Sequence, residues 1–273
     1  MTPSIVVLTN FFAVSNRALS YAAGLAVPLK ASLLLLHARH NELLAPAEFA
    51  SRHTAEGEVR TLYALEKLAA EQPVATMVDI SNFSLAEAVQ EVVGQRPPLL
   101  VVMGRTGAEP APEDLVTDTA MDLLRHTPYP LLVIPPAGWD QFPPRRLLLA
   151  VDGEPFRLAE YHDVLSQLLL ANHGTLSLVQ VTDNAETAPH PAAVLDSVRT
   201  NNLVPELAES SLRQVHQNTV VGGILQEAAG QQADMLVVIA RRHSLLGGLF
   251  HRSVTAQLLR ESAIPVLVLP AAE

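Results

Sequence analysis

The chain has 273 residues, about half of them apolar, with 28 acidic against 18 basic side chains and no cysteine. That length holds one large domain or two of about 130 residues. The net charge of -10 leaves no basic footprint for nucleic acid and would repel an anionic membrane surface. Without cysteine there are no disulfides, no thiolate catalysis and no zinc-thiolate site.

Met1–Ser4 lead straight into an apolar run with no basic segment ahead of it, so no signal peptide is read. Apolar runs such as Leu33–Leu36 and Leu131–Ile134 are far too short to cross a bilayer, and a cytoplasmic location is expected. Ile5–Leu8 has the unbroken apolar character of a parallel strand covered on both faces. A helix is expected through Leu29, capped by Ser15, because Ala18, Leu19, Ala22, Leu25 and Ala26 recur along one face. Ala31–His37 reads as the second strand, parallel to the first through a right-handed crossover. A loop from Ala38 to about Ala47 precedes an exposed helix over Glu48–Ala70, which Pro73 stops. Val74–Ile80 is expected as an edge strand, and Ser84 as the cap of a helix over Leu85–Val93 that Gly94 ends. Leu99–Met103, a polar loop, a short helix and Leu131–Ile134 complete an open five-stranded parallel sheet with helices on both faces.

Pro135–Pro144 is a proline-rich joint, and the plan restarts after it. The expected division is a first domain over 1–137, a linker over 138–145 and a second domain over 146–273. Trp139 and Phe142 are read as a plug that seats this linker. In the second half the expected elements are strand Arg146–Val151, loop Asp152–Pro155, helix Leu158–Leu170 and strand Thr175–Val181. A helical region over Pro191–Arg213 follows, then strand Gln214–Thr219, helix Val221–Ala229 closed by Gly230, and strand Met235–Ile239. The stretch Leu236–Pro270 restates Leu99–Pro135: strand, loop, helix, proline, strand.

This doubled unit resembles the universal stress protein family, two copies fused head to tail over nearly the whole chain. The resemblance implies two flavodoxin-like α/β domains, each a doubly wound five-stranded parallel sheet in 3-2-1-4-5 order, packed in tandem as a pseudo-dimer through their last strands. In the nucleotide-binding branch an Asp follows strand one, and Gly-x-x-Gly, nine residues and Gly-Ser or Gly-Thr follow strand four. Glycines there let backbone N–H groups close on phosphates at a helix N-terminus, and the carboxylate holds adenosine.

In the first half Gly104 and Gly107 match the glycine pair, but Thr117–Asp118 stand where Gly-Ser is expected and Asn10 replaces the Asp. Glu109, Glu113 and Asp114 add negative charge between them, which would repel an anion. In the second half Asp152 and Ser253 keep the carboxylate and hydroxyl, while Ala240, His243 and Arg252 replace the glycines. Arg241, Arg242, His243, His251 and Arg252 make that loop basic, able to grip an anion by side chain or to pair with the acidic loop of the first half.

The ten histidines are scattered, with only His37 and His40 near a ligand spacing and no HExxH pattern, so no metal site is expected. No G-x-S-x-G elbow anchors acyl transfer, and no catalytic residue is assigned. The expected function is a cytoplasmic binding and regulatory module with degenerate nucleotide sites, acting through an unidentified protein partner and able to form a homodimer. The alternative is an ATP- or AMP-binding member with weak ATPase activity at most, its ligand in the second domain.

Overall fold

The structure is a computed structural model. It describes residues 2–10, 13–38, 55–105, 113–137, 141–158, 163–182, 190–204, 207–241 and 254–272. The chain divides into two compact units, Met1–Pro136 and Ala137–Glu273.

Unit 1 carries β1 (Ser4–Leu8), α1 (Ala13–Leu29), β2 (Ser32–Ala38), α2 (Ala55–Ala70), β3 (Thr76–Ser81), α3 (Leu85–Gln95), β4 (Leu100–Gly104), α4 (Glu113–His126) and β5 (Leu131–Ile134). Its strands are all parallel, in the order β3-β2-β1-β4-β5. The inner strands are buried almost throughout, as their unbroken Ile, Val and Leu runs require when helices cover both faces. Right-handed crossovers put α1 and α2 on one face and α3 and α4 on the other, and α3 and α4 touch.

Unit 2 repeats the plan with β6 (Arg146–Val151), α5 (Val164–Asn172), β7 (Thr175–Thr182), α6 (Pro191–Thr200), β8 (Leu212–His216), α7 (Val220–Gly230), β9 (Met235–Ala240), α8 (Val254–Glu261) and β10 (Val266–Pro270). Its parallel order is β8-β7-β6-β9-β10. Each unit is therefore the doubly wound flavodoxin-like arrangement, with its switch of winding direction between first and fourth strands.

Several element ends differ from the sequence reading. Helix α1 begins at Ala13, so Ser15 is a first-turn residue whose hydroxyl hydrogen-bonds back to the Asn10 side chain. Ser84 does cap α3, in a reciprocal capping box with Glu87, but the helix runs through Gly94 to Gln95. Leu158 is not helical: its backbone bridges Ala271, and α5 starts at Val164. The region expected to be helical to Arg213 ends at Thr200, and β8 begins at Leu212, two residues before the expected Gln214. There β7 dictates the register, because Leu178 pairs with Leu212. Phe142 is exposed rather than buried as a plug, and Trp139 lies outside the described residues.

Candidate functional site

The C-terminal ends of first and fourth strands meet at the switch point of each unit, where open α/β sheets offer a crevice. In unit 1 these ends are Asn10 after β1 and Gly104 at the end of β4. Gly104 is an ordinary strand residue paired with Ile134, and Arg105 donates its backbone N–H to the Ile134 carbonyl at 2.8 Å. Asn10 is turned to Ser15, its amide N–H directed at the hydroxyl and its side-chain oxygen accepting from it. Thr117 and Asp118 lie within α4 rather than ahead of it, the first buried and the second exposed. His37, at the end of β2, is buried with Nδ1 2.9 Å from the Thr9 carbonyl, a contact that fixes strand ends. Among the described residues no group of three His, Asp or Glu is placed to hold a metal ion. Gly107 and most of the acidic loop lie outside the described residues.

Unit 2 has a different chemistry at the same place. Arg241, directly after β9, meets Asp152, directly after β6, in a fork: Nε donates to Oδ2 at 2.9 Å and Nη2 to Oδ1 at 2.9 Å. The same guanidinium donates to the carbonyls of Pro155 at 3.0 Å and Glu154 at 2.9 Å, and stands 4.0 Å from the Glu154 carboxylate. Asp152 Oδ1 also accepts the Glu154 N–H at 3.0 Å, so both carboxylate oxygens are engaged. Planar guanidinium matches carboxylate geometry in a way that a lysine cannot. The arginine side chain is only 16% exposed although its partner is 55% exposed, so the pair is a clasp laid over the loop. Ala240 is buried at the end of β9, its carbonyl accepting the Ala271 N–H at 2.9 Å.

The loop held by this clasp is fixed from other sides as well. Buried Asn201 accepts the Leu158 N–H at 2.8 Å and donates to the carbonyls of Phe156 (3.0 Å) and Ser197 (2.8 Å). Ala272 donates its N–H to the Arg157 carbonyl at 2.8 Å. Gln180, fully buried in β7, reaches the Asp152 carbonyl at 3.4 Å and accepts from Gln214 at 2.8 Å. Gly153 takes a positive φ of 87°, the conformation this tight turn requires and glycine supplies without strain.

A second ion pair ties the opposite ends of the same strands. Asp234, 4% exposed, accepts from the Arg146 guanidinium at 2.8 Å and from the backbone N–H groups of Arg145 (3.0 Å) and Arg146 (2.8 Å). Burial pushes the Asp234 carboxyl up, but the Arg146 hydrogen bond and the two backbone N–H groups more than offset it and hold it below the usual carboxylate range.

Of the residues singled out by sequence, Asp152, Ala240 and Arg241 are thus brought together, and Gly104 occupies the matching end in unit 1. Arg242, His243, Arg252 and Ser253 lie outside the described residues. The acidic groups paired with Arg241, Asp152 and Glu154, belong to its own unit. Sequence reasoning missed Asn201, Gln180 and the Arg146–Asp234 pair. A charge at the first position of one apolar strand and an opposite one just before another was the legible signal for that pair.

No curated protein sequence matches the chain. Among solved structures, a universal stress protein from Archaeoglobus fulgidus DSM 4304 is similar over 99% of this chain and 97% of its own, with TM-score 0.65 and 14% identity. A functionally unknown protein from Pseudomonas aeruginosa PAO1 matches with TM-score 0.59 and 16% identity over 99% and 93% of the two chains. The cytoplasmic domain of a prokaryotic cation chloride cotransporter matches with TM-score 0.52 and 10% identity over 98% and 95%. At such identities the likeness is one of fold. The model of the universal stress protein family matches twice, over residues 1–135 and 144–270, and the chain belongs to that family as a tandem of two of its domains.

Proposed function

We propose that the chain is a binding and regulatory module of the stress response, working in the cytoplasm through a protein partner, with both nucleotide sites degenerate. The observation that carries this reading is the Arg241–Asp152 fork. A carboxylate with both oxygens engaged by its own chain reaches adenosine only after giving up a charged, bidentate contact. Arg241, which the basic loop offers to phosphate, is likewise spent on a carboxylate and two carbonyls. In unit 1 an asparagine turned to Ser15 stands where the family's nucleotide binders keep an acid. Fold alone assigns no reaction.

The test is titration calorimetry of the whole chain with ATP, ADP and AMP. We expect no stoichiometric heat at ligand concentrations up to about 1 mM, a free energy near -4 kcal/mol. Tight one-to-one heat that disappears in Asp152→Ala or Ser253→Ala would establish instead an ATP- or AMP-binding second domain. Loss in Gly104→Ala would place the ligand in the first.

A further inference from the structure

The two outer strands, β3 in unit 1 and β8 in unit 2, are finished differently. Strand β8 reads Leu-Arg-Gln-Val-His, with Arg213 paired to Glu227 at 3.2 Å, Gln214 to Gln180 and His216 to Thr182 at 2.9 Å. Such polar dressing blunts an edge. Strand β3 reads Thr-Met-Val-Asp-Ile-Ser and among the described residues pairs only with β2. Because Leu33 donates its N–H to the Ala75 carbonyl, Ala75, Met77 and Asp79 turn their backbone groups to β2. The N–H and C=O of Thr76, Val78 and Ile80 consequently face outward.

A cavity of about 710 Å³ runs along this outer edge, with Glu66, Ala69 and Ala70 of α2 on one side and Val92, Gln95 and Arg96 at the end of α3 on the other. The helical face that carries Glu66 and Ala70 continues through Tyr63 and Val59, both 69% exposed, with Leu62 beside them. Met77 on the strand is 41% exposed. Exposed apolar side chains beside a strand edge that, among the described residues, has no second partner mark an interaction surface.

We infer that two copies of this chain pair through β3, antiparallel about a two-fold axis at Val78, with α2 of each packing on α2 of the other. This register makes Val78 opposite Val78, and Thr76 opposite Ile80, the hydrogen-bonded pairs, so every outward backbone group of those residues is satisfied. It also sets Asp79 opposite Met77 of the second copy. The Arg96 guanidinium already lies on Met77, Nη1 3.0 Å from its sulfur, so each Asp79 meets an Arg96 across the axis. Shifting the axis to Asp79 would oppose like charges, and shifting it to Met77 would leave Asp79 opposite Ala75. Antiparallel α2 helices then cover Val59, Leu62 and Tyr63. The surface is self-complementary in backbone pairing and in the Asp79–Arg96 charges, as a two-fold interface must be.

Sedimentation equilibrium of the whole chain tests this. A dimer of twice 29.4 kDa is expected. Val78→Pro removes an outward N–H without touching the ladder to β2 and should raise the dimer dissociation constant by about thirtyfold or more. Tyr63→Glu, which leaves every strand intact, gives the same readout should the proline variant not fold. Asp79→Arg and Arg96→Asp should each weaken the dimer about tenfold, and the double exchange should recover most of that loss. Amide exchange at Thr76, Val78 and Ile80 should be slow in the dimer and fast in Tyr63→Glu. A chain that stays monomeric up to about 100 μM, whether or not it captures extended peptides on this edge, overturns the inference. So does a dimer indifferent to both Val78→Pro and Tyr63→Glu.

Discussion

The two units wind the same five strands in the same order yet fasten the first strand to the fourth by different means. In unit 1 the paired residues of β1 and β4 are apolar, Ile5 with Leu100, Val6 with Val101 and Val7 with Val102, and the Leu99 N–H donates to the Ser4 carbonyl at 2.8 Å. In unit 2 the same pair of strands is clasped ionically at both ends, by Arg146–Asp234 where they begin and by Arg241–Asp152 where they finish. The fold therefore asks only for apolar strands of the right length. What stands at the strand ends is free to vary, and that is where ligands of open α/β sheets bind. In unit 2 the freedom has gone into closing a loop.

The two units differ most at Asp234. Asp234→Ala leaves Arg146 and two part-buried backbone N–H groups short of their acceptor and should cost unit 2 about 2–3 kcal/mol. Scanning calorimetry should then resolve a lower transition for one unit, with the other unmoved. Because the folded carboxyl titrates below its unfolded value of about 3.9, its contribution is complete above that pH and is lost as pH falls through the folded value. Unit 2 of the wild-type chain should accordingly lose this contribution on acidification and the Asp234→Ala variant should not. An equal acid response in both proteins would remove the pair from the account. A smaller effect is expected at Asn201, whose Ala substitution strips two hydrogen bonds from the loop and one from the end of α6 and should cost about 2 kcal/mol by urea denaturation. The smallest is at Arg241. Its partner carboxylate is more than half exposed, so Arg241→Ala should cost only about 0.5–1 kcal/mol, less in high salt. A cost independent of salt would mean that the carbonyl contacts, not the ion pair, do the holding.

Much of the fold was legible because the inner strands are continuous apolar runs and the repeat announces its own period. Leu131–Ile134 and Arg146–Val151 fall where their residues say they should. Boundaries set by neighbours were not legible. Leu158 looks helical by periodicity, but its N–H is taken by Asn201, forty-three residues away in sequence, and its backbone bridges Ala271. Gly94 looks like a helix terminator, yet the last turn of α3 carries it, the Arg96 N–H bonding back to the Val92 carbonyl.

The site divides along the same line. Residue identity alone determined that neither half keeps the complete glycine motif, that Asp152 and Arg241 each follow an apolar strand, and that the chain is two copies of one domain. Only the tertiary structure decided that these two charges face each other. Charge in a sequence carries no direction, whereas parallel pairing of β6 with β9 brings two strand ends together within reach of one guanidinium. The loop that read as a grip for an anion begins, at Arg241, as a clasp on its own carboxylate.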